Sequence, residues 1–228
     1  MRKVKSKRYR EAEKLVDHKK IYSVEDAIAI LKKMPATKFD ETIEISCHLS
    51  LNPKEADQVV RGSVVLPRGT GKKIKIIVFC ESEKEADAKA AGADEVGGQE
   101  LVERIVKSGD IGFDYCIATP GLMRFVSKLG KLLGPRGLMP SPKTGTVTDN
   151  IVYAVKEAKR GKIDFRMDKF ACIHIGLGKL SFSTEALIEN VRAFLDALTG
   201  ARASATKGDF IKTMFLSRTM SPSLRIML

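Results

Sequence analysis

Polar and apolar positions in this chain follow two different rhythms. From Thr42 to Leu51 they alternate strictly, with Ile43, Ile45, Cys47, Leu49 and Leu51 on one side and Glu44, Ser46, His48 and Ser50 on the other. A period of two buries one face and leaves the other wet, which predicts a half-buried antiparallel strand. Alternation returns at Lys162–Met167 and Ile173–Gly178, and shorter strands are predicted at Ser63–Leu66 and Phe210–Leu216. Between these segments the rhythm changes. Ile74–Phe79 and Phe113–Ala118 are short, mostly apolar runs, with an alanine-rich helix ending at Gly92 and another around Leu101–Ile105 between them. Buried strands alternating with helices predict βαβ units and a parallel sheet.

Helical spacing accounts for the rest. Lys7–Val16 reads as a polar helix. Ser23 followed by Asp26 resembles a capping box, with Ala27, Ile28, Ile30 and Leu31 behind it and Pro35 as a stop. Ile151–Lys159 is amphipathic and ends at Gly161, and Ser183 opens a helix in which Leu187, Val191, Phe194, Leu195 and Leu198 share a face. A polar linker, Thr199–Gly208, precedes the last strand. The expected fold class is α/β in two domains. A split terminal α+β domain (1–67 plus 161–228) carries an inserted domain (68–160) with a parallel sheet.

Charge changes the picture from fold to partner. A formal net charge of +12 predicts a polyanion, most plainly nucleic acid. The charge is also segregated: residues 1–20 hold nine Lys/Arg, whereas 81–103 hold eight acids and two lysines. The run Lys128–Val147 combines four basic residues with three prolines and no acid, and predicts a stiff, irregular loop presenting Arg136 and Lys143. No apolar run approaches the roughly 20 residues of a membrane span, and the basic N-terminus has no apolar stretch behind it. No membrane partner is expected.

Catalytic and cofactor motifs fail on inspection. Gly69–Lys72 (GTGK) lacks the first glycine of a phosphate loop and has Lys73 where Ser or Thr belongs, and Gly176–Lys179 (GLGK) is incomplete as a dinucleotide fingerprint. His18, His48 and His174 are scattered, with His48 read as solvated and His174 as facing RNA or water. Cys47, Cys80, Cys116 and Cys172 form no CxxC pair, so neither a metal site nor any cofactor is expected, and an enzyme is disfavoured. Free thiols in apolar runs point to a reducing compartment.

Nearly the whole chain resembles the ribosomal protein L1 family of the bacterial type. The resemblance is carried by KLGKLLGPRGLMPSPKTGTV (128–147), SKRYRE (6–11), TKFDETIEI (37–45), ADQVVRGSVVLPRGTGK (56–72), AGADEVGG (91–98), ATP with Met123, GKIDFRMDK (161–169), IGLGKLSF (175–182), TKGDFIKT (206–213) and SRTMSPS (217–223). It implies that the inserted domain is Rossmann-like. It also implies a constituent of the large ribosomal subunit that binds the mobile rRNA stalk beside the tRNA exit site, assists release of deacylated tRNA, and represses its own mRNA if that RNA mimics the rRNA site. The alternative is a free-standing translational repressor not resident on the ribosome. The protein is expected to be monomeric off the ribosome and ribosome-bound, in the cytoplasm or an organelle.

The rRNA-binding residues implied are Lys38, Phe39, Thr42, Lys169, Thr213, Thr219, Met220 and Ser221, with Arg225 as a phosphate partner. Phe39 would lie against a ribose or base, and Thr42 and Thr219 would offer hydroxyls to 2′-OH groups. Arg136 and Lys143 would make a secondary contact with rRNA or tRNA. Ser221 departs from the family's glycine and is expected to push its side chain toward the ligand. Ser141, Gly121 and the apolar end Ile226-Met227-Leu228 are milder departures.

Overall fold

A computed structural model describes residues 5–55, 58–201 and 209–227, with the Lys143 side chain also outside the description. The linker read at 199–208 therefore falls largely on residues outside it. Chain contacts divide the protein into two compact units, Met1–Gly71 with Asp164–Leu228, and Lys72–Ile163.

The first unit opens with α1 (Lys7–Lys14) and α2 (Val24–Lys33), followed by β1 (Thr42–Leu49) and β2 (Arg61–Val65). Ser23 caps α2, its Oγ accepting from Asp26 N–H at 3.1 Å, with Glu25 and Asp26 in the first turn and Lys32 and Lys33 in the last. Both placements complement the helix dipole. Ala27, Ile28 and Leu31 are fully buried.

The second unit runs β3 (Ile76–Phe79), α3 (Ser82–Ala90), β4 (Glu95–Gly97), α4 (Gln99–Ser108), β5 (Tyr115–Ala118), two single-turn helices α5 (Met123–Val126) and α6 (Gly130–Leu133), and α7 (Ile151–Lys159). Its three strands are parallel in the order β4-β3-β5. Alternate residues feed two cores. Ile77, Phe79, Cys116 and Ala118 face α4 and the 122–133 turns, while Ile76, Val78 and Ile117 face Ala88 of α3 and Ala154, Val155 and Ala158 of α7. Helices thus cover both faces, as a sheet of apolar parallel strands requires.

The chain then returns to the first unit through β6 (Lys162–Arg166), β7 (Cys172–Lys179), α8 (Thr184–Gly200), β8 (Ile211–Arg218) and β9 (Leu224–Ile226). A four-stranded antiparallel sheet has the order β7-β1-β8-β9, and β2 pairs with β6 as a separate ribbon. Ile43, Ile45, Cys47 and Leu49 are buried under α2 and α8, whereas Thr42, Glu44, Ser46 and His48 line the opposite, open face. Phe165 of the ribbon meets Phe194 of α8 edge to face at 5.8 Å. Gly62 is what lets the ribbon close on it, because a Cβ there would sit 2.8 Å from the Phe165 ring. The architecture is mixed α/β, with a three-stranded parallel sheet, a four-stranded antiparallel sheet and a two-stranded ribbon.

One expectation needs correction, and two strands went unread. Lys128–Val147 is not an irregular loop throughout: its first third is α6 plus a 3-10 turn at Ser127–Leu129, and Pro142–Thr144 forms another. Leu129 and Leu133, both fully buried, anchor those turns in the core despite the glycines around them. Strands β4 and β9, three residues each, carried too few alternations to be seen in the sequence. No helix among the described residues is long and apolar enough to cross a membrane.

Three of the four thiols belong to these cores. Burial pushes Cys47 up to about 12 and raises Cys80 and Cys116 as well, and only Cys172 is partly exposed. A native protein treated with a thiol reagent is expected to show one accessible cysteine and three that react only on unfolding. A fast-reacting thiol remaining in Cys172→Ser would contradict this placement.

Candidate nucleic-acid interface

The open sheet face is a strip with two ends. At one end, the start of β1 meets the end of β8 and the turn after it. Thr219 N–H donates to Thr42 O at 3.1 Å, and Thr42 N–H donates to Thr219 Oγ1 at 3.1 Å, so one threonine closes both backbones. The Thr42 hydroxyl accepts from Lys179 Nζ at 3.0 Å. Both hydroxyls expected to face a ligand are thus already engaged within the protein. Their first task is to hold the turn.

Beneath this end lies an ion pair that the sequence reading did not single out. Arg218 and Glu41 are 2% and 0% exposed and pair directly. Arg218 also donates to Leu31 O at 2.9 Å and Met34 O at 3.1 Å, satisfying the carbonyls at the end of α2. The other Glu41 oxygen accepts Met220 N–H at 3.1 Å, and Arg8 from α1 donates to Met220 O at 3.1 Å. The backbone of Met220 is therefore clamped on both sides while its side chain is 51% exposed. A rigid, wet methionine is a contact surface rather than core. Lys5, Ser6, Arg8 and Tyr9 combine with Thr219, Met220 and Ser221 around a groove of about 380 Å³.

Ser221 departs from expectation. Its Oγ accepts from Arg218 N–H at 2.9 Å and donates to Pro222 O at 3.0 Å, so the hydroxyl is turned inward to close the turn. Its φ is not positive, so glycine's conformational freedom is not needed here.

Lys38 and Phe39 precede β1 on the same end. Phe39 is 55% exposed, which removes core packing as its role. It is held between fixed points: Thr37 Oγ1 donates to its carbonyl at 2.7 Å, and the Asp40 carboxylate accepts Ser181 N–H and Oγ–H at 3.2 and 2.7 Å.

Thr213 and Lys169 occupy the other end. Thr213 lies opposite His48 in the β1–β8 register, and Lys169 sits in the β6–β7 turn with its Nζ 5.3 Å from the centroid of the exposed Phe170 ring. Six residue steps along β1, from Thr42 to His48, separate the two ends, or about 20 Å at strand rise. The predicted residues therefore do not form one cluster. They mark the length of a face, whose middle carries Ser46, His174 and the partly exposed Phe215, with Arg225 beside Phe215 on β9.

Arg136 lies in the other unit, exposed, with its guanidinium donating to Ile111 O at 3.3 Å. The Lys143 side chain is outside the described residues. The GTGK and GLGK segments serve packing: Asn190, fully buried, donates to Gly69 O and Leu177 O at 3.0 and 2.7 Å and accepts Arg68 N–H at 3.0 Å.

The reading of the sequence missed Arg8, Tyr9, Glu41, Arg218 and Phe215. Phe215 was legible, because it stands on the wet side of an alternating strand. Glu41 and Arg218 were not, since nothing local marks a charge as buried. A family model described as the Ribosomal protein L1p/L10e family matches residues 31–222.

Proposed function

The chain belongs to the ribosomal protein L1p/L10e family, a family of ribosomal rRNA-binding proteins rather than enzymes, and from that premise we propose that the open sheet face is its principal rRNA surface. The observation that supports this most is the pairing of rigid backbone with exposed apolar side chains at Phe39 and Met220, with Lys5 and Arg8 around Met220 and Lys38 next to Phe39 in the chain. Preorganised stacking and packing groups amid cations suit RNA, whose bases and riboses offer flat faces between phosphates.

On this reading the target is the mobile stalk of the large-subunit rRNA beside the tRNA exit site. The protein is a ribosome-bound constituent in the cytoplasm or an organelle, monomeric when free. The second unit acts as the inserted Rossmann-like domain, where Arg136 and Lys143 make a secondary contact with rRNA or deacylated tRNA and help release the latter. The same face binds the protein's own mRNA where that RNA presents the stalk's shape, repressing its translation. Lys38, Lys169 and Arg225 supply phosphate contacts along the strip.

Binding to a stalk rRNA fragment should weaken linearly on a log–log plot against salt, losing about 0.7–0.9 in slope for each phosphate contact removed. Lys38→Gln with Lys169→Gln is expected to flatten that slope by about 1–2 units. An unchanged slope would place the phosphate contacts elsewhere.

A further inference from the structure

We propose that Asp168, Cys172 and His174 form a site for a zinc-class divalent ion on the open face. One ligand atom from each lies within 4.8 Å of the others. Tetrahedral zinc with bonds of about 2.0–2.3 Å separates its ligands by roughly 3.3–3.8 Å. His174 Nε2 and Asp168 Oδ2 are already 3.9 Å apart.

The three ligands are held for the task by different means. Asp168 Oδ1 accepts backbone N–H groups from Phe170 at 2.8 Å and Cys172 at 2.7 Å, which fixes the carboxylate and leaves Oδ2 toward His174. His174 Nδ1 is bonded to Ser46 Oγ at 2.9 Å, which leaves Nε2 as the free ligand nitrogen. Fixing one imidazole nitrogen so that the other meets a metal is how ligating histidines are generally oriented. Cys172 and His174 are two apart on β7 and so share the open face, and Ala171 between the Asp168 turn and the strand takes φ 60°, the sole positive non-glycine φ among the described residues.

Thiolate, imidazole and a single carboxylate select zinc or cobalt over magnesium or calcium, which prefer all-oxygen sites. Binding breaks the Cys172 S–H bond, forms a metal–sulfur bond and releases one proton to solvent. The fourth position opens to water. The sequence offers no CxxC pair to mark this site, because its ligands follow D-x3-C-x-H across a turn and a strand.

The test uses the full chain, reduced, titrated with Co²⁺ for its thiolate charge-transfer band and with Zn²⁺ against a chromogenic chelator. One ion per chain is expected, with Cys172 shielded from thiol reagent when Zn²⁺ is bound. Cys172→Ser should abolish the charge-transfer band, and Cys172→Ser and His174→Asn should each weaken Zn²⁺ binding by at least about 10-fold. Both positions are on the open face, so unchanged thermal melting of the metal-free variants confirms that they fold. No binding by the wild type, or binding that neither variant alters, would overturn the proposal.

Discussion

Arg218→Met is expected to destabilise the first unit by about 3–5 kcal/mol, because it leaves the Glu41 carboxylate buried without its partner. The pair sits at 2% and 0% exposure, so water cannot replace the lost guanidinium. The loss also strands the Leu31 and Met34 carbonyls, to which Arg218 donates hydrogen bonds across the end of α2. Removing both charges together has a different result. Glu41→Leu with Arg218→Met should recover much of the loss, since a buried ion pair replaced by apolar residues is often close to neutral. Urea unfolding of the two single variants and the double variant closes a mutant cycle whose interaction energy separates pairing from burial. The double variant should nevertheless bind rRNA weakly. Met220 N–H would have lost its Glu41 acceptor, and the turn would no longer be clamped. Recovered binding in the double variant would show that the ion pair serves the core alone.

The second large effect belongs to Phe39. With 55% of its surface exposed and its backbone held by Thr37 and Asp40, Phe39→Ala removes little from the fold. It should cost rRNA binding about 1–3 kcal/mol if the ring stacks, which is roughly 5- to 150-fold in affinity. Urea midpoints should stay put while affinity falls. That separation distinguishes a contact residue from a packing residue.

How much of this was readable in advance depends on the range over which each signal acts. The alternation from Thr42 placed Ile43 to Leu49 on a buried face and Ser46 and His48 on a wet one, and the register bears that out. Helices α2, α7 and α8 were legible because their apolar stripes are long and two of them begin at a capping serine. Short elements failed where a long-range contact made the structure. The turns around Leu129 and Leu133 exist because the core accepts those leucines, not because Gly130 and Gly134 favour helix. The site failed in a similar way. Glu41 and Arg218 are 177 positions apart, and neither neighbourhood announces that its charge is internal. Thr219 and Ser221 were found through the family motif, but their hydroxyls turned out to face their own backbone. Motif residues identify where a surface is; only the fold shows which of them remain free to touch a partner.

The central claim is that the open face of the first unit, and not the signature loop of the second, is the principal rRNA grip. Affinity for a stalk rRNA fragment should therefore be measured for full-length Phe39→Ala with Met220→Ala beside full-length Arg136→Gln with Lys143→Gln, at one fixed salt concentration. The first pair is expected to lose at least about 10-fold and the second to change less than about 3-fold, given the cost of a lost stacking contact against that of one or two exposed charges. The reverse order of losses would contradict the account.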